Sequence, residues 1–312
     1  MSKMLRRAIL IAGVLLAMPP TCFSKEYSVK TPDGVSLYVK VAGSGPPCLF
    51  IHGGPGQGSL SFEKIGGDSL EKHLTMIYVD QRGSGKSASA KDYSLDRMAD
   101  DIEQVRKRLG YRKLNLLAHS FGGIIAVRYA AKYPKRVARI VMANTTLHFY
   151  NDEALKGQLR FFEKELNKDY GLGEPIATED LRKTVQMVRN NSGIGYKLLT
   201  DSLETLRKMG EVDGYPGRNR EFGRFVMGES KEAAEYYADY TNASKSVNVP
   251  TLIIAGTRDY AVGVYHHLRF RFPNSKIETI KGGHLLYADN NEEFVMSVNR
   301  FVNGKFDSPN SN

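Results

Sequence analysis

Three side chains of this sequence have types and settings that would let them act together on a carbonyl group: Ser120, Asp259 and His284. A serine hydroxyl is a weak nucleophile until a base takes its proton, and the base needs an acid to fix its tautomer. Ser120 sits in Leu117-Ala118-His119-Ser120-Phe121-Gly122-Gly123, where the strand-like run Lys113 to Ala118 gives way to a small-residue helix that runs to Pro134. A tight turn from strand to helix pushes the serine oxygen out of the sheet and leaves the amide of Phe121 facing the same space at a helix N-terminus. Gly122 fits a close approach of backbone, since a larger residue would collide with the neighbouring strand. The G-x-S-x-G pattern of such turns has Ala118 in place of its first glycine.

Asp259 follows the apolar run Thr251 to Ala255, and His284 follows Lys276 to Ile280. Taken singly, each has a structural reading: Asp259 could cap a helix starting near Val262, and His284 could be a loop histidine beside Gly282 and Gly283. Their joint occurrence just past consecutive strands points to a triad in which Ser120 attacks, His284 moves the proton and Asp259 orients His284. Acyl transfer also needs donors for a developing oxyanion. The loop His52-Gly53-Gly54-Pro55-Gly56-Gln57-Gly58 follows the apolar run ending at Ile51, and its glycines let the backbone turn amides inward. The amides of Gly54 and Phe121 are the expected pair. His52 is expected to organise this loop by hydrogen bonding rather than to act as the base, given the better placed His284. This chemistry calls for no metal and no cofactor.

The elements that must position these groups alternate. Tyr27 to Val29 and Leu37 to Val41 read as a hairpin around Pro32-Asp33-Gly34. Cys48 to Ile51, Met76 to Val79 and Val137 to Met142 are continuous apolar runs, as expected of strands covered on both faces. Between them the clearest helix spans Leu95 to Leu109, with Leu95, Met98, Ala99, Ile102, Val105 and Leu109 on one stripe and Ser94 as its expected N-cap. Alternation of this kind predicts an α/β fold with a mostly parallel central sheet and helices on both faces. It breaks between His148 and Val249, where Glu153 to Asn167, Glu179 to Asn190 and Ser230 to Tyr240 look helical and no core strand is evident. The expected organisation is therefore a core of residues 25–147 and 250–306 with a helical cap or lid over 148–249. The lid would face the carboxyl ends of the strands, where ligands bind in such sheets.

Composition narrows the field. The 312 residues suffice for one large α/β domain with an insertion. Lys3, Arg6 and Arg7, the apolar run Ala8 to Met18, and Pro19, Pro20 and small residues up to Ser24 have the layout of a secretory signal peptide over residues 1–24. Eleven apolar residues are too few to span a bilayer, so a secreted or periplasmic protein without a stable membrane span is expected. Past the leader Cys48 is alone, which suggests a small buried hydrophobe and no disulfide framework. The chain carries +10, yet from His148 to Ser246 there are 15 Lys and Arg against 17 Asp and Glu. The basic residues elsewhere are scattered without an arginine-rich tract, which argues against nucleic acid as a partner. The polar tail 307–312 is expected to be disordered.

Asp80-Gln81-Arg82-Gly83-Ser84-Gly85-Lys86-Ser87 ends like a P-loop, but Asp80 stands where that motif needs a glycine, so the run is expected to brace the active-site loops with its charges. This run, together with His52-Gly53-Gly54-Pro55-Gly56, the serine turn and the late Asp259 and His284, resembles the prolyl iminopeptidase family of α/β-hydrolases over nearly all of the chain outside leader and lid. The resemblance implies the α/β-hydrolase fold and removal of an N-terminal proline, or another residue, from small peptides or amides through an acyl-enzyme. It also implies that acidic side chains, partly from the lid, grip the substrate's amino group. Glu204 and Glu232 are the first choices among the lid glutamates, with a solvated helix face as the alternative for each. Phe222, Phe225, Tyr236, Tyr237 and Tyr240 could line an apolar pocket or belong to the core. The turn Ala118-His119-Ser120-Phe121 departs from the Gly-Gly-Ser-Trp typical of these peptidases and also resembles esterases of the same fold. An esterase or lactonase with the same triad is therefore the second reading.

Overall fold

The computed structural model describes residues 24–171, 176–228 and 231–304. The expected leader lies outside them except for Ser24, as does the tail 307–312. Eight strands form one sheet: β1 (Ser24–Lys30), β2 (Ser36–Gly43), β3 (Pro47–Ile51), β4 (Thr75–Val79), β5 (Leu114–His119), β6 (Val137–Ala143), β7 (Thr251–Gly256) and β8 (Ser275–Ile280). Their spatial order is β1-β2-β4-β3-β5-β6-β7-β8. The β1–β2 and β2–β4 pairs are antiparallel and the remaining pairs are parallel, so the hairpin forms one edge of an otherwise parallel sheet.

The helices are α1 (Leu60–Lys64), α2 (Leu95–Arg108), α3 (Gly122–Lys132), α4 (Asp152–Leu166), α5 (Thr178–Asn191), α6 (Leu203–Asp213), α7 (Glu221–Met227), α8 (Leu286–Asp289) and α9 (Asn291–Asn303). The central strands are buried on both faces, and alternate residues divide between two cores. Leu49, Ile51, Ile77, Leu116 and Ala118 pack with α2 and α3. Cys48, Phe50, Met76, Tyr78 and Leu117 pack with Phe62 of α1 and Phe294, Val298 and Phe301 of α9. This is why the sequence shows continuous apolar runs rather than alternation at these strands.

Between β6 and β7 the described residues contain helices and no strand of the sheet. Leu155, Leu159 and Phe162 of α4 meet Leu181, Val185 and Val188 of α5 in a separate small core. The stretch expected as Ser230 to Tyr240 is a 3-10 helix, Lys231–Tyr237, rather than an α-helix, with Ser230 outside the described residues. Helices α6 and α7 were not foreseen. Ser94 does stand at the N-cap of α2, but its side chain makes no cap bond. The amide of Leu95 donates instead to Glu235, from the far side of the insertion, at 2.9 Å.

The run Asp80 to Ser87 braces the loops as expected. Arg82, 1 % exposed, forms ion pairs with Asp33 of the hairpin turn (2.8 Å) and Asp101 of α2 (2.7 Å). Asp80 accepts the amide and hydroxyl of Ser59 (2.7 and 2.8 Å) and the amide of Lys86 (2.8 Å). Among the described residues no helix is long and apolar enough to cross a membrane.

Candidate active site

Ser120 follows the last residue of β5 and adopts φ 56°, a left-handed conformation that a non-glycine residue rarely holds. The turn is fastened from several sides: the Ser120 amide donates to the carbonyl of Asn144 (3.1 Å), and its carbonyl accepts the amides of Gly123 and Thr146 (both 3.1 Å). Its two glycine neighbours in space explain themselves. A Cβ on Gly122 would collide with the carbonyl oxygen of Ile51 on β3, and one on Gly53 would lie 2.6 Å from the Cβ of Ser120. The expected crowding at Gly122 therefore comes from β3.

His284 lies past β8 with its Nδ1 3.0 Å from both carboxylate oxygens of Asp259, which lies past β7. Both side chains are buried while Ser120 is half-buried. Asp259 also accepts the amides of Ala261 (3.1 Å) and Val262 (3.3 Å), so the turn-capping role and the histidine-orienting role coexist in one carboxylate. The backbone amide of His284 donates to the carbonyl of Leu199 in the insertion (2.8 Å), which pins the histidine loop from above.

Two further residues fix this geometry and were not foreseen. Asn144, immediately after β6 and at φ 46°, uses its side chain as a clamp. Its amide donates to the carbonyls of Gly283 (2.8 Å) and His284 (3.0 Å), and its Oδ1 accepts the amide of Gly256 (2.7 Å). With its backbone carbonyl on the Ser120 amide, one residue thus joins the strand ends that carry Ser120, Asp259 and His284. An asparagine directly after an apolar strand run, a residue type tolerant of positive φ, was the available signal. His119 presents its ring to His284 with centroids 4.6 Å apart and its Nε2 3.0 Å from the His284 carbonyl. Burial pushes the His119 imidazole down to about 3, so it stays neutral.

The loop His52 to Gly58 lies across from the serine turn. The Gln81 amide donates to His52 Nε2 (3.0 Å), and His52 Nδ1 lies 3.0 Å from the Gly53 carbonyl and 3.3 Å from the Gly58 amide, so with Nε2 as an acceptor the ring is neutral and ties three points of the loops together. Burial lowers its pKa, in keeping with that state. His52 is thus an organiser of the loop. Among the described residues, neither the Gly54 amide nor the Phe121 amide is taken by a backbone carbonyl. Gly54 lines the same cavity as Ser120 and His284, which encloses about 680 Å³. A larger cleft of about 870 Å³, between α4 and the segment after β7, contains none of Ser120, Asp259 and His284.

The expected amine-gripping acids are not at this cavity. Glu204 lies on the exposed face of α6, paired with Arg207 (3.1 Å) and Lys208 (3.4 Å), and Glu232 is exposed on its 3-10 turn; neither lines the cavity. The alternative, a solvated helix face, holds for both. Of the two readings of the lid aromatics, Phe222 and Tyr236 take the core one: both are fully buried and pack on the ring of Phe121 with centroids 6.1 and 5.4 Å apart, and Phe225, Tyr237 and Tyr240 do not line the cavity either. Phe149, Tyr150, Leu155, Met209 and Met227 supply the apolar lining instead. Among the described residues the lone carboxylate there is Asp213, buried against Arg218 (3.5 Å), and burial raises its pKa.

Comparison with known proteins places these features. The family model described as "alpha/beta hydrolase fold" matches residues 46–291. The chain is 22 % identical over 289 residues to a proline iminopeptidase of Lactobacillus helveticus, covering 86 % of this chain and 95 % of that one. In three dimensions it is similar to a proline iminopeptidase of Mycobacterium smegmatis (TM-score 0.67, 17 % identity, 89 % of this chain and 98 % of that one). It is also similar to an esterase of Exiguobacterium antarcticum (TM-score 0.64, 20 % identity, 89 % and 99 %).

Proposed function

The chain belongs to the alpha/beta hydrolase fold family, and from that premise we propose that it is a serine hydrolase of the prolyl aminopeptidase type, releasing N-terminal residues from short peptides or amides. The observation that carries the reading is that His284, held by the buried Asp259, opens with the left-handed Ser120 onto one cavity. In this reading Ser120 Oγ attacks the scissile carbonyl as His284 Nε2 takes its proton, and Asp259 holds Nδ1–H and stabilises the imidazolium. The amides of Gly54 and Phe121 receive the oxyanion. Collapse breaks the carbon–nitrogen bond, and His284 returns the proton to the leaving amine. Water, deprotonated by His284, then attacks the acyl-enzyme and Ser120 leaves with the proton restored.

The helices over 148–249 act as the lid. Their part in the site is supported by the Leu199 carbonyl on the His284 loop and by the α5, α6 and α7 residues at the cavity. Export through a cleaved leader near Ser24 is supported by the charged, apolar and small-residue order of the first residues, and the N-terminal sequence of the mature protein tests it.

A second reading, ester or lactone hydrolysis by the same triad, is favoured by one observation: among the described residues the cavity has a single carboxylate, Asp213, paired with Arg218 at 3.5 Å. A matched panel of prolyl 2-naphthylamide and 4-nitrophenyl esters separates the two. Turnover of the amide supports the peptidase, whereas ester turnover without amide turnover overturns it in favour of the esterase.

A further inference from the structure

The insertion carries more acids than bases, yet the surface it turns toward Ser120 is basic. Arg189 of α5, Arg218, the α7 N-cap Arg220 and Arg224 of α7 all line the cavity, against Asp213 alone among the described residues. Arg218 pairs with Asp213 at 3.5 Å and donates to the carbonyls of Asp213 and Gln57, which seats it on the oxyanion loop. The other three are exposed, and among the described residues none forms an ion pair. Glu221, which feels the charge of Arg224, has its carboxyl held by Ser89 and Tyr93 and does not line the cavity.

Arg220 is the N-cap of α7 and Arg224 lies one turn into it, and both stand on the face of this helix end that lines the cavity. That face is directed by Gly223 between them, which packs so tightly on the loop that a Cβ on Gly56 would collide with its backbone. The two guanidinium groups thus come from the roof of the oxyanion loop, and Arg189 comes from a separate helix. Planar guanidinium groups with no carboxylate of their own are suited to bidentate binding of a carboxylate.

We propose that the substrate carries a free carboxylate, held by Arg220 and Arg224 with Arg189 across the cavity, while its scissile carbonyl meets Ser120. This rests on the hydrolase reading and adds the substrate class: a short peptide with its terminal carboxylate free, or an ester of a dicarboxylic acid.

Two matched pairs test it, prolylglycine against prolylglycinamide and 4-nitrophenyl hemisuccinate against 4-nitrophenyl butyrate. In the pair that is turned over, the carboxylate member should have a kcat/KM at least roughly tenfold higher, equivalent to about 1.4 kcal/mol. That ratio should fall toward one in R220Q/R224Q. Equal rates for both members, or a ratio unchanged in the double variant, would overturn the proposal. The Ser120→Ala protein titrated calorimetrically with the same compounds separates binding from chemistry. Tighter binding of the carboxylate member there supports the proposal even if the wild-type protein turns over neither pair, an outcome that would sink the hydrolase reading alone. Equal binding of the two members overturns the proposal.

Discussion

The side-chain amide of Asn144 donates to the carbonyl oxygen of His284 at 3.0 Å, while the Asn144 backbone carbonyl accepts the amide of Ser120 at 3.1 Å. The residue after β6 therefore sets the distance between the nucleophile turn and the histidine loop. Replacing Asn144 with aspartate keeps its size and its tolerance of positive φ but turns two donors into oxygens facing the Gly283 and His284 carbonyls. We expect kcat to fall roughly a hundredfold, as for displacement of a reacting group by about 1 Å, with KM changed much less. Asn144→Gly relieves the backbone without supplying the amide; if it matches wild type in kcat, the clamp has no positioning role.

Stability should fall steeply in acid because of neutral buried histidines. His119 goes from 6.5 when unfolded to about 3 when folded, and burial likewise takes His266 to about 4. Both folded values are depressed, so between them and 6.5 the unfolded chain binds more protons and stability declines as pH drops. Each histidine contributes a slope of up to about 1.4 kcal/mol per pH unit. His119→Asn should remove about one proton from the uptake on unfolding in this window. Urea titrations across it, giving the same slope for variant and wild type, would contradict a neutral His119.

Most of the sheet was legible because its strands are buried on both faces and write themselves as unbroken apolar runs, from Cys48–Ile51 to Thr251–Ala255. Ser120, Asp259 and His284 were legible because each stands just past such a run. Asn144 stands in the same relation to Val137–Met142, but a side chain that bonds only backbone leaves no partner in the sequence to search for. The lid was the least legible part. Its Glu204 and Arg220 look equally solvated as letters, and only the packing of Gly223 against Gly56 decides that the arginine faces the cavity while the glutamate faces water.

The glycines around the serine turn should separate folding from catalysis. A methyl group on Gly122 meets the rigid carbonyl of Ile51, so Gly122→Ala should destabilise by about 1–3 kcal/mol, the usual range for overpacking. A methyl group on Gly53 meets the Cβ of Ser120, 2.6 Å away, and the carbonyl oxygen of His119 at 3.0 Å. Gly53→Ala should therefore lose kcat out of proportion to its loss of stability. Thermal melts and ester hydrolysis on both variants check this, and parallel losses in the two would argue against it.

Arg82 links the hairpin turn to α2 through Asp33 and Asp101. Its guanidinium holds the Asp33 carboxyl at about 2, while burial raises Asp101. Arg82→Leu leaves the buried Asp101 without its cation and should cost about 3–5 kcal/mol, as breaking one side of a buried pair does. Pairing that change with Asp101→Leu should recover part of the loss. A double variant no more stable than the single one in urea denaturation would show that the stranded carboxylate is not the cause.

Asp259 offers the sharpest test of the triad, because its two roles respond differently to a single change. Asparagine retains an oxygen that can accept the Ala261 and Val262 amides, so the turn after β7 should persist and the melting temperature should move little. Toward His284 the change is drastic: a carboxylate with both oxygens 3.0 Å from Nδ1 is replaced by a group that can present an amide N–H there. The imidazole would then be held with Nδ1 as acceptor and Nε2 protonated, the tautomer that cannot take a proton from Ser120. On the scale of such exchanges in serine hydrolases, kcat should fall roughly ten-thousandfold at neutral pH. Labelling of Ser120 by a fluorophosphonate should slow in step, since it needs the same deprotonation. If Asp259→Asn kept both turnover and labelling near wild type, His284 would be oriented by something other than Asp259, with the backbone anchors from Asn144 and Leu199 the first candidates.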